Sequence, residues 1–249
     1  MFVKRNGRGP IAYFCLHGWS GDHRTFDPLL PFLPANARMY APDLPGCGAS
    51  PPPARWELSS LAEEIAAEFG RCGDPITLIG NCMGALLGMR AALLRPECIV
   101  RLVLIDAFAS WPWYFRVFTA PHWGKYAYQT TFANPVGRWL TNRSLSSKRS
   151  GDSDLTGGFA TVRHESALHY LEVLGGIGSA QEFAALSAPV DVVFGANSFR
   201  AARQSADTWK RMWPWARIWE LQGSGHLPVR EASAELSRIV FDTRGVDVD

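Results

Sequence analysis

The 249-residue chain predicts an α/β protein, a mostly parallel central sheet covered by helices on both faces, from three observations. Short apolar, strand-like runs alternate with helix-patterned stretches, the order that builds a parallel sheet with ligands at the carboxyl ends of its strands. One run, Ile76-Thr77-Leu78-Ile79, feeds a glycine-bounded turn and then the helix-forming stretch 83–94. The alternation lapses once: eleven aromatics crowd the interval from Phe108 to Trp139, where no sheet strand fits, and the pattern resumes only at Pro189.

Residues 1–10 hold at most one short leading strand, and 11–16 read as a buried strand. His17-Gly18-Trp19-Ser20-Gly21 is the loop after it, followed by a helix to Leu33. A strand at 38–41 and a turn at 43–50 come next. Leu58, Leu61, Ala62, Ile65, Ala66 and Phe69 fall at i, i+3, i+4, i+7, i+8 and i+11, an amphipathic helix that packs on the sheet. Strand 75–79, helix 83–94 and strand 100–105, ending in Asp106, complete the first half. Residues 145–158 are rich in Ser, Gly and Asp and predict a mobile loop. His164 and His169 share a helical stretch, but at i, i+5 they do not share a face as metal ligands would, so they are expected at the surface or a pocket edge. Helix 179–186, strand 190–194, helix 200–212, strand 217–221, a loop carrying His226 and a closing helix 229–241 finish the domain. The tail 243–249 is expected to be loose.

Composition narrows the class. A hydrophobic content of 47% with 19% charged residues fits a soluble globular domain with a substantial core. A formal charge of +2, with scattered arginines, gives no footprint for nucleic acid. No run approaches the ~20 apolar residues of a membrane span. Residues 1–7 are not followed by the apolar stretch of a signal peptide. The cysteines at 15, 47, 72, 82 and 98 are odd in number and lack metal-type spacing, which suits free thiols in a reducing cytoplasm.

The turn Gly80-Asn81-Cys82-Met83-Gly84 has the context of a nucleophile turn. Such a turn requires its central residue to be held strained and exposed at a strand's carboxyl end, with glycines keeping neighbouring backbone clear. The helix N-terminus beneath Cys82 favours a thiolate, because free N–H groups and the helix dipole stabilise negative charge. Taken alone, G-x-C-x-G is equally compatible with a buried structural cysteine.

Three further segments change that balance: His17–Gly21, Met39 to Ser50 with Pro42-Asp43-Leu44-Pro45-Gly46, and Gly223-Ser224-Gly225-His226-Leu227-Pro228. In this order and spacing the set resembles the α/β-hydrolase family over essentially the whole chain, most of all its small esterases, thioesterases and C–C hydrolases. The resemblance implies an α/β-hydrolase core at 1–106 and 178–249 and an aromatic-rich helical cap at 107–177. Trp111, Trp113, Tyr114 and Phe118 would wall the substrate pocket, while about half of the aromatics simply pack the cap on the core. The resemblance also implies oxyanion donors at the backbone N–H groups of Trp19 and Met83. Asp43 and the His17 side chain would organise loops rather than catalyse.

Cys82 and His226 form a nucleophile–base pair on this reading. Where the family usually carries its acid, three residues beyond the glycine that ends the 190s strand, this chain has Ser198. A serine cannot supply the negative charge that stabilises an imidazolium. Asp106, ending the strand next to the nucleophile strand, is the favoured replacement. Asn197 is the alternative orienter, and a Cys–His dyad a third arrangement; Asp191 lies at the wrong end of its strand, and Asp207 belongs on the outer helix. The implied activity is hydrolysis of an ester or thioester with an apolar acyl portion through an acyl-cysteine. Acyl transfer to an alcohol, amine or thiol, and ligand binding without catalysis, are the alternatives. The expected partner is a small acyl substrate, free or carrier-bound, and no metal or organic cofactor is implied.

Overall fold

The computed structural model describes residues 1–73 and 75–242; the predicted tail 243–249 lies outside the described residues. Its strands are β1 (Val3–Gly7), β2 (Ile11–Leu16), β3 (Ala37–Pro42), β4 (Ile76–Asn81), β5 (Ile99–Ile105), β6 (Val190–Gly195) and β7 (Arg217–Leu221). They form one sheet in the order β1-β3-β2-β4-β5-β6-β7. β1 runs antiparallel to β3, and the neighbouring pairs that follow are parallel. The chain winds from β2 outward to β3, then returns to lay β4 on the other side of β2. The carboxyl ends of β2 and β4 therefore flank the switch point where such sheets open a crevice.

The helices are α1 (Leu58–Cys72), α2 (Met83–Leu94), α3 (Arg116–Thr119), α4 (Gly124–Tyr128), α5 (Pro135–Ser144), α6 (His164–Gly175), α7 (Arg200–Met212), α8 (Pro228–Glu231) and α9 (Ser233–Val240). Alternation along the strands sends side chains to two separate cores. Phe14, Leu16, Leu78, Leu102 and Leu104 pack with Leu61, Ile65 and Phe69 of α1, Leu87 of α2 and Trp209 of α7. Tyr13, Cys15, Ile79, Val103 and Ile105 pack on the opposite face with Phe26, Leu29 and, from α9, Leu236 and Val240. Each fully buried aliphatic or Phe side chain of this kind contributes about 1.5–3 kcal/mol of transfer free energy.

At the opposite end of the sheet from Cys82, Asp191 accepts bonds from Arg101 (Nε, 2.7 Å), Arg217 (Nε, 2.7 Å) and Trp219 (Nε1, 2.7 Å). Arg101 also donates to the carbonyls of Ile239 and Val240. This paired cluster, in which Asp191 and Arg101 are buried, ties α9 to the sheet.

Three predicted helices differ in form. The stretch to Leu33 is a 3₁₀ segment, His23–Phe32, because Pro28 and Pro31 lack the N–H groups an α-helix would need there. The helix expected at 179–186 reduces to the 3₁₀ turn Ala180–Phe183, closed by i→i+3 bonds such as Leu186 N–H to the Phe183 carbonyl. The closing helix breaks at Ala232 (φ −135°, ψ 38°) into α8 and α9.

Between β5 and β6 the described chain forms short helices and turns but no strand. This insertion has its own small core of Tyr128, Phe132, Phe159, Ala167 and Leu171. Trp19 enters it from the loop after β2. Its ring lies edge-on to Phe159 (4.7 Å) and Phe132 (5.0 Å), and its Nε1 donates to the Ala167 carbonyl (2.7 Å).

Candidate active site

Cys82 sits between β4 and α2 with φ 50° and ψ −112°, a left-handed conformation that costs a non-glycine residue about 1–3 kcal/mol. Its N–H donates to the Ile105 carbonyl (2.7 Å), which pins the turn to the end of β5. Gly84 permits the close seat of α2: a Cβ there would lie 2.3 Å from the Leu16 carbonyl oxygen and 2.5 Å from that of His17. The loop after β2 is thereby held against the turn, and Trp19 and Met83 both line the cavity into which Cys82 opens.

Asp106 follows β5 directly and is fully buried, also at positive φ (48°). Two adjacent strands are thus each followed by a strained, non-glycine residue. The Asp106 Oδ2 accepts from His226 Nδ1 (2.8 Å) and from Ser198 Oγ (2.7 Å), while Gly195 N–H reaches Oδ1 at 3.4 Å. Ser198 Oγ also lies 3.1 Å from His226 Nδ1. Asp106 fixes the imidazole with Nδ1 as donor, which leaves the other ring nitrogen free to act toward Cys82, and both side chains line the same cavity. Burial disfavours the imidazolium, but the hydrogen bonds to Asp106 and Cys82 and their charges outweigh it. Together they raise the His226 pKa from its ordinary 6.5 to about 10. Phe199 (ring centroids 4.7 Å apart) and Phe108 (5.9 Å) pack against the imidazole.

The His226 loop is clasped to the insertion. His226 N–H donates to the Lys148 carbonyl (2.8 Å), and a Cβ at Gly225 would lie 2.3 Å from that same oxygen. Glu231 of α8 accepts from Gly225 N–H (2.5 Å) and Ser224 Oγ (3.3 Å) with one oxygen. Its other oxygen accepts from Ser150 N–H (2.8 Å) and Ser153 Oγ. The segment 145–158, expected to be mobile, is instead tied down, because its polar residues close turns and meet Glu231.

The cavity holds about 990 Å³ and is walled mainly by apolar side chains, among them Leu86, Phe108, Phe115, Phe132 and Leu174. Trp111, Tyr114 and Phe118 line it. Trp113 does not: it is 75% exposed, since the 3₁₀ turn Trp113–Phe115 points it outward while Tyr114 and Phe115 face in. Asn197 is also displaced from its expected place. It is exposed, and the Nδ1 it would orient is engaged by Asp106 and Ser198.

His17 is buried in the loop, with Nδ1 2.8 Å from the Gly18 carbonyl and Nε2 accepting from Leu44 N–H (3.0 Å); burial lowers its pKa. Asp43 accepts from His23 N–H (2.6 Å) and Ala49 N–H (2.7 Å). With Asp22 and His23 it forms the group of metal-type side chains found among the described residues, and these bonds account for its burial. Sequence reasoning missed the bridging position of Ser198 and the clasp made by Glu231. A hydroxyl at the usual acid position was the one signal for the first, and nothing in the local pattern marks the second.

A model of the Alpha/beta hydrolase family matches residues 14–239. The chain belongs to that family. It is 29% identical to the pimeloyl-[acyl-carrier protein] methyl ester esterase of Nitrosomonas europaea over 91% of this chain and 92% of that one. Similarity to the like-named esterase of Neisseria meningitidis serogroup A reaches 30% but spans 51% of this chain and only 41% of that protein. Lipase LipV of Mycobacterium tuberculosis is 33% identical over 43% of this chain and 41% of its own length. Among solved structures, a thermophilic esterase from Thermogutta terrifontis superposes with a TM-score of 0.78 at 18% identity, covering 96% of this chain and 90% of that one. At that identity the likeness speaks for the fold.

Proposed function

We propose that the chain hydrolyses an ester or thioester with an apolar acyl portion through an acyl-Cys82 intermediate. One observation carries the reading: a strained Cys82 and a His226 that Asp106 holds face the same largely apolar cavity. Cys82 sulfur attacks the acyl carbonyl carbon after its proton passes to His226. The backbone N–H groups of Trp19 and Met83 hold the developing oxyanion, each worth a few kcal/mol. His226 then gives its proton to the departing alkoxide or thiolate as the bond to the carbonyl carbon breaks. A water molecule, deprotonated by His226, attacks the thioester and frees the acid and Cys82. The raised basicity of His226 supports the first transfer, and the charge of Asp106 offsets the cost of the buried imidazolium. The insertion acts as the cap whose inner face receives the acyl portion. Similarity to esterases acting on a carrier-bound methyl ester supports testing carrier-linked as well as free substrates.

The test is intact-protein mass spectrometry and turnover with a panel of methyl esters and thioesters, free and carrier-bound. Wild type should gain or turn over an acyl mass and Cys82→Ala should do neither, with activity lower by about 10³-fold or more. No adduct and no turnover across the panel, together with alkylation of Cys82 as slow as an ordinary cysteine of pKa ~8.5, would leave ligand binding as the function.

A further inference from the structure

Among the described residues, six of the eleven large apolar side chains left exposed fall between residues 113 and 140: Trp113, Trp123, Tyr126, Val136, Trp139 and Leu140. On α5, Val136, Trp139, Leu140 and Arg143 recur at i, i+3, i+4 and i+7 and so share one face. A surface helix ordinarily turns such a stripe toward the core. Here none of its residues is buried, and Thr141 and the adjoining Leu145 line the cavity instead. The elements that carry the other exposed rings adjoin α5 in turn, since α3 packs on α4, and both α4 and α5 pack on the π turn Gln129–Ala133.

Charge within the stretch that carries these side chains has a single sign, and the exposed Asp152 and Asp154 follow it. Residues 107–150 contain Arg116, Lys125, Arg138, Arg143, Lys148 and Arg149 and no Asp or Glu. Arg116, Lys125 and Arg143 are exposed, and the Arg143 guanidinium lies over the Trp139 ring, 5.9 Å from its centroid. A second copy would set like charges face to face across an isologous contact. The rings are spread over three elements rather than gathered into one central anchor of the kind that dominates protein interfaces. Trp and Tyr spread among cations match the level of lipid headgroups, where Lys and Arg are drawn to an anionic surface.

We infer that the outer face of the insertion, centred on the Val136–Trp139–Leu140–Arg143 stripe of α5, docks on an anionic lipid surface. Docking sets the cavity wall beside a source of lipid-soluble acyl esters. That consequence rests on the proposed hydrolysis, whereas the docking itself does not.

Co-sedimentation of the full chain with phosphatidylglycerol–phosphatidylcholine vesicles, against phosphatidylcholine alone, tests it. The expected result is binding to the anionic vesicles that is weaker by about tenfold or more on neutral ones and falls with added salt. Trp139→Ser with Leu140→Ser, and separately Arg143→Gln, should each weaken vesicle binding by about five- to tenfold while hydrolysis of a short water-soluble ester is unchanged. Equal binding to both vesicle types, none to either, or variants that bind like wild type would overturn the assignment. Concentration-dependent dimers in sedimentation velocity, lost in the double variant, would give the face to a second copy. Retention by polyglutamate without vesicle binding would give it to an acidic protein. Soluble-ester hydrolysis reads the proposed reaction separately, so vesicle binding without it, or the reverse, tells the two failures apart.

Discussion

The sheet edge and the insertion hold their parts of the site by different means. At the sheet edge, Cys82 and Asp106 stand on adjacent strand ends, each at positive φ and each fixed by a backbone bond to the next strand. Their positions follow from the sheet register and leave little room for adjustment. Across the cavity, the insertion is built from short helices such as α3 and α4, four and five residues long, which are not stable by themselves. Aromatic contacts around Trp19, Tyr128, Phe132 and Phe159 assemble them. Geometry set by a sheet suits bond making, which tolerates little misplacement. A wall of rings, each worth about 0.5–1.5 kcal/mol per pair, suits recognition of an apolar group whose shape varies.

If the sheet edge supplies the chemistry, removing the Asp106 charge gives the largest effect of the substitutions that spare the nucleophile. Asp106→Asn should lower kcat by roughly 10²–10⁴-fold. It should also move the alkaline limb of the pH–rate profile down from about 10 toward 6.5, because the carboxylate is the main group holding the proton on His226. The sign for stability is the same. A histidine raised from 6.5 to about 10 stabilises the fold fully below about pH 6.5, and that stabilisation is lost as pH rises through about 10. Urea titrations between pH 6 and 10.5 should show this decline in wild type and a flatter curve in Asp106→Asn. A variant with wild-type rate and profile would hand the role to Ser198 or to an unaided pair.

The amino-acid sequence is legible where local pattern alone sets position, and opaque where distant segments do. The strand–helix alternation and the Gly80–Gly84 turn define the sheet edge, because local pattern and tertiary position coincide there. Asp106 was readable as a charge at the end of the neighbouring strand. The Ser198 bridge was not, since a hydroxyl has no chemistry of its own until a carboxylate and an imidazole lie 2.7 and 3.1 Å away. Trp113 was misplaced because consecutive aromatics carry no period, so sequence does not tell Trp113 from Tyr114 by face. The segment 145–158 reads as loose from composition, but its order comes from Glu231, far along the chain.

Glu231 is where the two regions meet, and it offers a sharper division between them. The carboxylate serves the His226 loop with one oxygen and the 150–153 segment with the other. Glu231→Gln keeps the size but leaves only one acceptor oxygen, so one side must let go at a cost of about 1–3 kcal/mol. We expect kcat/KM to fall by roughly tenfold. Faster amide exchange in 148–153 with KM rising would mean that the insertion is released. Falling kcat with unchanged exchange there would mean that His226 is. No change in either would show that the clasp is dispensable and the two regions independent.

The smallest expected effect tests Trp19, whose backbone and side chain fall on opposite sides of the division. Trp19 sits in the loop after β2, where its backbone is the proposed oxyanion donor, yet its indole is seated among the rings of the insertion. Trp19→Phe retains a backbone N–H and most of the ring contacts but removes the bond to the Ala167 carbonyl, at the cost of about 1–2 kcal/mol. For a chain of this size the melting temperature should fall by about 2–6 °C. Amide exchange should quicken in α6, and kcat on a small ester should change by less than about threefold. A loss of kcat as large as that of Asp106→Asn would show that the indole, through its hold on the insertion, sets the loop backbone itself. The division between a sheet that fixes the chemistry and an insertion that only receives the acyl group would then fail.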